Sequence, residues 1–247
     1  MKKSILILAL FCFSSFLQAQ TVEEIIEQYL ENTGGAAEWA KLTSVKMEGK
    51  VSTQGMDIPI EIAQTKEGKM YMKFQLQGQE ITQQAFDGKE AWGVNFMTMK
   101  PEKSDSETTE NMKRESGDFP DPFIDMKSKG YKAELIGKET VEGTECFKVK
   151  LTKKPLLVDG TEVENITLYF FDTENFVPIM VEKELKSGPA KGMTSQTFMS
   201  DYQEVEGLYF PFSIIEKAKG MPQGQAINIT KIELNPTLDP AVFAFKD

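Results

Sequence analysis

The chain has 247 residues, 28 Lys+Arg against 38 Asp+Glu, two Cys and no His. No histidine means no Ser-His-Asp or Cys-His catalysis and no His-ligated zinc, and two cysteines at Cys12 and Cys146 are too few for a disulfide scaffold or a thiolate metal site. A formal charge of −10 argues against a nucleic-acid partner, because phosphate neutralisation needs clustered Lys and Arg.

Lys2 and Lys3 precede an apolar run at 4–17 and the sequence Gln18-Ala19-Gln20, the order of a secretory signal peptide. The expected cleavage follows Ala19, so residues 1–19 are removed and 20–247 form one domain outside the cytoplasm, in the periplasm. Cys12 reads as an ordinary residue of the signal core, since Phe11 precedes it and the greasy run continues to Leu17. No later segment reaches the length of a membrane span.

One helix is expected next. Val22, Ile25, Ile26, Tyr29 and Leu30 form an apolar stripe, Thr21 with Glu24 makes a capping box, and Asn32-Thr33-Gly34-Gly35 supplies the stop. A shorter helical piece is expected near 38–42. From Ser44 the period changes to two. Met56, Ile58, Ile60 and Ile62 alternate with mostly polar neighbours, as do Met70, Met72, Phe74 and Leu76. Glu67-Gly68 and Asp87-Gly88 mark hairpin turns, and Val-Glu-Gly at 141–143 and 205–207 reads as one turn solution used twice.

The stretch 100–130 interrupts this pattern as a loop or lid insertion. Its first part is polar and reads as a mobile loop or weak helix; its second, Phe119 to Met126, is apolar enough to pack, and Pro122 could open a short helix there. Further strands are expected at about 131–137, 144–152, 163–171, 177–185, 193–202, 208–219 and 225–235, ten or eleven in all. The fold class is therefore mainly β (α+β): a strongly curved antiparallel sheet forming an incomplete barrel, covered by the N-terminal helix and the short helical lid.

The apolar strand faces are rich in Phe and Met, which suits either a filled core or a cavity for greasy ligands. The candidate lining residues are Met47, Ile58, Ile60, Met70, Met72, Phe74, Phe86, Trp92, Phe96, Phe123, Phe170, Phe198 and Phe212. Acids offer less. Asp121 and Asp125 lie four apart, Asp201 precedes Tyr202, and Asp105, Glu107 and Glu110 could at most hold calcium loosely; all read as solvated carboxylates. No catalytic residue, metal or cofactor is expected.

Several local patterns coincide in order along the chain: Val22–Ile26 to Gly34-Gly35, Val45–Lys50, Phe86-Asp87-Gly88-Lys89-Glu90-Ala91-Trp92 with Asn95, Ser200-Asp201-Tyr202 through Phe212, and Leu238–Phe243. In these the chain resembles the outer-membrane lipoprotein-sorting proteins of the LolA/LolB-like superfamily. The resemblance implies a half-open barrel with a helical lid and a cavity for lipoprotein acyl chains, with a membrane-anchored donor or acceptor as partner. The chain is expected to be a monomer. The family's carriers have an Arg-Pro pair between the early strands. Here that stretch is Gln64–Lys69, and Lys66 is the cation nearest the gating role. The alternatives are an envelope sensor or scaffold that binds a membrane protein with the same fold, and a carboxylate-based hydrolase.

Overall fold

A computed structural model describes residues 20–246 except Gln54 and Pro189. The expected signal peptide lies outside the described residues.

Helix α1 (Val22–Asn32) forms where the apolar stripe requires it. Thr21 and Glu24 make the reciprocal capping bonds, which satisfy two N–H groups the first turn leaves open. Ile25, Ile26, Tyr29 and Leu30 are buried, worth roughly 1.5–3 kcal/mol each in removed apolar surface. The helix stops at Gly34, whose φ is +114°; a Cβ there would lie 2.2 Å from the Gly207 carbonyl oxygen, so only glycine lets the helix end seat on that turn. The second helical piece, α2 (Ala36–Trp39), starts two residues earlier than the sequence suggests.

Thirteen strands follow among the described residues, two or three more than expected. They are β1 (Ser44–Thr53), β2 (Met56–Thr65), β3 (Met70–Leu76), β4 (Gln79–Phe86), β5 (Ala91–Asn95), β6 (Lys100–Lys103), β7 (Lys132–Val141), β8 (Thr144–Val158), β9 (Thr161–Asp172), β10 (Pro178–Glu184), β11 (Thr194–Val205), β12 (Leu208–Ala218) and β13 (Gln225–Leu234). They make one antiparallel sheet in the order β6-β5-β4-β3-β2-β1-β13-β12-β11-β10-β9-β8-β7. Two meanders thus meet where β13 pairs with β1, and β6 and β7 remain as edges. The sheet is an incomplete barrel. Both Val-Glu-Gly turns have positive φ at Glu and Gly (48° and 91°, 50° and 87°), the twist-matched hairpin geometry.

The interruption is more ordered than its polarity suggests. It contributes edge strand β6 and helix α3 (Ser106–Glu115), which crosses from the β5–β6 edge to β8. Asp105 caps α3 through the Thr108 N–H, Glu107 accepts the Gly160 N–H, and Glu110 pairs with Arg114 at 3.2 Å. The three acids considered for calcium are thus spent in holding a helix. Pro122 sits in a turn, and helix α4 (Met126–Lys129) begins four residues later.

Candidate functional site

Register fixes which side chains share the concave side. Met72, Ile62, Met47 and Ile232 lie opposite one another across β3, β2, β1 and β13. A second row runs Phe74, Ile60, Gly49, Ile229, and a third Ile58, Val51, Ile227, Ile214. Phe86 and Met70 continue the surface on the β3–β4 side, and Phe212 extends it on β12. Because strand side chains alternate, one phase of every strand builds this surface.

Cover over it is uneven. Helix α1 and the segment around Phe123 fill the part facing β7 to β9, where Tyr29, Phe123, Tyr169 and Phe171 form a mutual aromatic cluster with centroids 4.8–6.1 Å apart. Toward β1 to β3 the cover thins. Met47, Ile58, Ile62, Met70, Met72 and Phe74 are only half-buried, an apolar lining set beside the buried Val51 and Ile60.

Beside that lining runs a groove of about 400 Å³, within the range of ordinary ligand sites. One wall is Gln64, Met70, Gln84 and Phe86; the other is Met112, Glu115, Ser116 and Phe119 of the lid, with Lys153 and Lys183 at the far side. The far side is an ion-pair cluster. Lys153 Nζ lies 2.5 Å from Asp118 Oδ2 and 3.8 Å from Glu115 Oε1, and Lys183 Nζ lies 2.5 Å from the same Glu115 oxygen. Burial alone would raise the Glu115 carboxyl, but Lys183 and Lys153 more than reverse that and hold it below its ordinary value. Deeper in, Tyr29 O–H donates to Asp121 Oδ2 at 2.7 Å and the Phe123 N–H donates to Oδ1. Burial pushes Asp121 up to about 6 despite those bonds and nearby Lys129. The Tyr29 hydroxyl is raised as well, by burial first and by Asp121 second.

Of the thirteen candidates, Met47, Ile58, Ile60, Met70, Met72, Phe74, Phe86 and Phe212 share the concave side. Phe123 reaches it from the lid, and Phe96 hangs over its rim, stacked on Phe74 at 6.0 Å. The other three face the opposite way. Trp92 joins Ala63, Tyr71, Ala85 and Phe243 in a small outer core, its indole N–H donating to the Phe243 carbonyl at 2.8 Å. Phe170 and Phe198 pack with Val141, Cys146 and Met180 on the outer face of the other half. The reason is local. Phe170-Phe171 and Phe198-Met199 are apolar doublets, so alternation names no inner member, and Phe171 takes the inner place.

Lys66 is not at the groove. It lies in the β2–β3 turn, exposed, with Nζ 3.4 Å from the Ala40 carbonyl just past α2. The cations beside the groove are Lys69, Lys153 and Lys183. The sequence carries a signal for Lys153: Phe147, Val149 and Leu151 set the inward phase of β8, and Lys153 continues it. The three acids weighed for hydrolysis do not converge. Asp121 is buried on Tyr29, while Asp125 and Asp201 are exposed.

A half-barrel of meandering strands, closed at one end by an N-terminal helix and crossed by a helical lid, defines the LolA type of fold. A LolA superfamily protein from Nitrosomonas europaea matches with a TM-score of 0.54 at 13% identity, over 92% of this chain and 99% of that one. A domain assigned to outer membrane lipoprotein sorting from Vibrio parahaemolyticus matches with a TM-score of 0.54 at 10% identity, over 89% and 94%. At such identities the likeness is one of fold. No family model matches the sequence, and no curated protein matches it. Among the described residues no helix is long and apolar enough to cross a membrane.

Proposed function

We propose that this chain is an exported, non-catalytic binding protein that shelters lipid or lipoprotein acyl chains on its concave face. In this reading residues 20–247 act as one monomeric domain in the periplasm, and its cargo is lipoprotein bound for the outer membrane. The observation that carries it is the half-buried row Met72, Ile62 and Met47, apolar and inward-facing yet more open than Phe147, Val149, Leu151 and Phe171 on β8 and β9. Soft Met side chains adapt to chains of variable length. About sixteen buried methylenes supply roughly 13 kcal/mol, which leaves micromolar affinity after about 5 kcal/mol of association and ordering cost. The fold supports the reading, since this architecture is shared with the lipoprotein-sorting domain above.

Native mass spectrometry of detergent-free protein should show bound lipid, and a fluorescent fatty acid should bind saturably. Met72→Asp, which sets a carboxylate in the lining, should weaken that uptake by roughly tenfold or more while the protein stays folded. A clean mass with no saturable uptake overturns the proposal.

A further inference from the structure

The exposed large apolar residues are not scattered. An antiparallel meander sends alternate turns to opposite ends of the sheet, so the β1–β2, β3–β4, β5–β6, β8–β9, β10–β11 and β12–β13 turns share one rim. Five of these six tips carry a large apolar side chain in water: Met56, Leu76, the run Phe96-Met97-Met99, Met193 and Met221, with Met97 94% exposed. The sixth tip is Asp159-Gly160. Outside these tips, the exposed large apolar residues among those described are Ile136, Tyr209 and Ile215. The turns of the opposite rim carry Glu67, Asp87, Glu90, Glu142, Glu174 and Glu206, with Lys66, Lys69 and Lys89 among them.

We propose that the Met- and Phe-bearing rim docks the protein on a lipid bilayer, its tips in the interfacial region and its acidic rim pointing away. Three observations favour a bilayer over a protein surface. The apolar groups stand on five separate hairpins, so a rigid partner would need five matched sockets, whereas a bilayer deforms around each tip. Methionine, the commonest side chain there, is flexible and suits a fluid medium. Lys100, Lys186, Lys191 and Lys219 stand on or beside these tips, the last three paired with Glu184, Asp159 and Glu182, and such long stems can turn to anionic headgroups while their methylenes follow the apolar tips inward. Phe96 links the rim to the concave lining through its stack on Phe74.

This inference goes beyond the acyl-chain reading and stands or falls separately. The test is co-flotation of purified protein with vesicles of phosphatidylethanolamine and phosphatidylglycerol at low and moderate salt. The protein should float with the vesicles. The triple variant Met97→Ser, Met99→Ser, Met221→Ser should partition about tenfold more weakly or worse, with an unchanged unfolding midpoint, since all three side chains already stand in water. Fatty-acid uptake by that variant should be unaltered. A Met97→Trp reporter should shift its emission to the blue on mixing, while Tyr209→Trp at the far rim should not. Absence of flotation, or equal flotation of the triple variant, overturns the proposal. So does a rim that ignores pure lipid vesicles yet retains one membrane protein from envelope extract, which would make it a protein-docking surface. Fatty-acid uptake without vesicle binding would sink the rim and leave the cavity reading intact; vesicle binding without uptake would do the reverse.

Discussion

The two halves of the concave face follow one sequence rule and reach different ends. On β8 and β9, Phe147, Val149, Leu151 and Phe171 point inward and are almost wholly buried, because α1 and the segment around Phe123 press on them. On β1 to β3, Met47, Ile62 and Met72 also point inward, in the same alternation, and stay half-open. An apolar strand face therefore becomes core or lining according to what covers it. Strand composition alone does not decide which.

The largest expected effect tests that contrast directly. Phe171→Ala empties a fully buried place in the aromatic cluster and should cost about 3–5 kcal/mol in denaturant unfolding. Met72→Ala removes a side chain that water already reaches and should cost under about 1.5 kcal/mol, with its main effect on ligand uptake. Equal losses at the two sites would mean that β3 is sealed core after all.

The next effect is in pH, and it also belongs to the covered half. Asp121 titrates near 6 in the folded protein against an ordinary value of 3.8, with Tyr29, Lys129 and Asp118 as its ionisable neighbours. A raised carboxyl pKa means that the folded state holds the proton more tightly than the unfolded chain does. Between about pH 4 and 6 folding therefore takes up a proton, and stability falls as pH rises through that window. The cost at neutral pH is on the order of 2–3 kcal/mol. Asp121→Asn should remove this slope, so the difference in unfolding free energy between variant and parent should grow from pH 4 to pH 7. A flat difference would mean that Asp121 is ionised and well solvated. Other carboxylates act in the opposite direction, Glu115 among them, which is why the difference and not the parent's own curve is the readout.

Much of this architecture is legible from residues alone. The α1 stripe and its capping box, the period-two runs from Ser44 and both Val-Glu-Gly turns stand as the sequence suggests, because each rests on contacts within a few residues. Helix α3 is less legible. It has no buried residue and owes its place to long-range polar bonds, such as Asn111 to Leu157 and Arg114 to Pro155 and Glu162, which no local pattern reveals. The site is legible where alternation is clean and lost where it doubles. The partners of Asp121 and Lys153 lie 92 and 35 residues away, so their burial could not be read from composition, although the inward phase of Lys153 could.

The smallest effect probes the third surface, the outer core around Trp92, which separates the sheet's two faces functionally. Its indole N–H bonds to the Phe243 carbonyl, so the C-terminal segment lies as a strap across the outside of β2 to β5. Trp92→Phe keeps an aromatic ring but leaves that carbonyl without its donor, which should cost about 0.5–1.5 kcal/mol. The strap should also loosen, so limited proteolysis should cut the C-terminal segment sooner. Fatty-acid uptake should stay as in the parent, because no atom of Trp92 faces the lining that Met72 and Met47 build. If uptake falls while stability holds, the outer face takes part in binding, and the division between a lined interior and a structural exterior fails. If proteolysis and stability both respond and uptake does not, Phe243 is a structural fastener and the ligand's work is confined to the concave side.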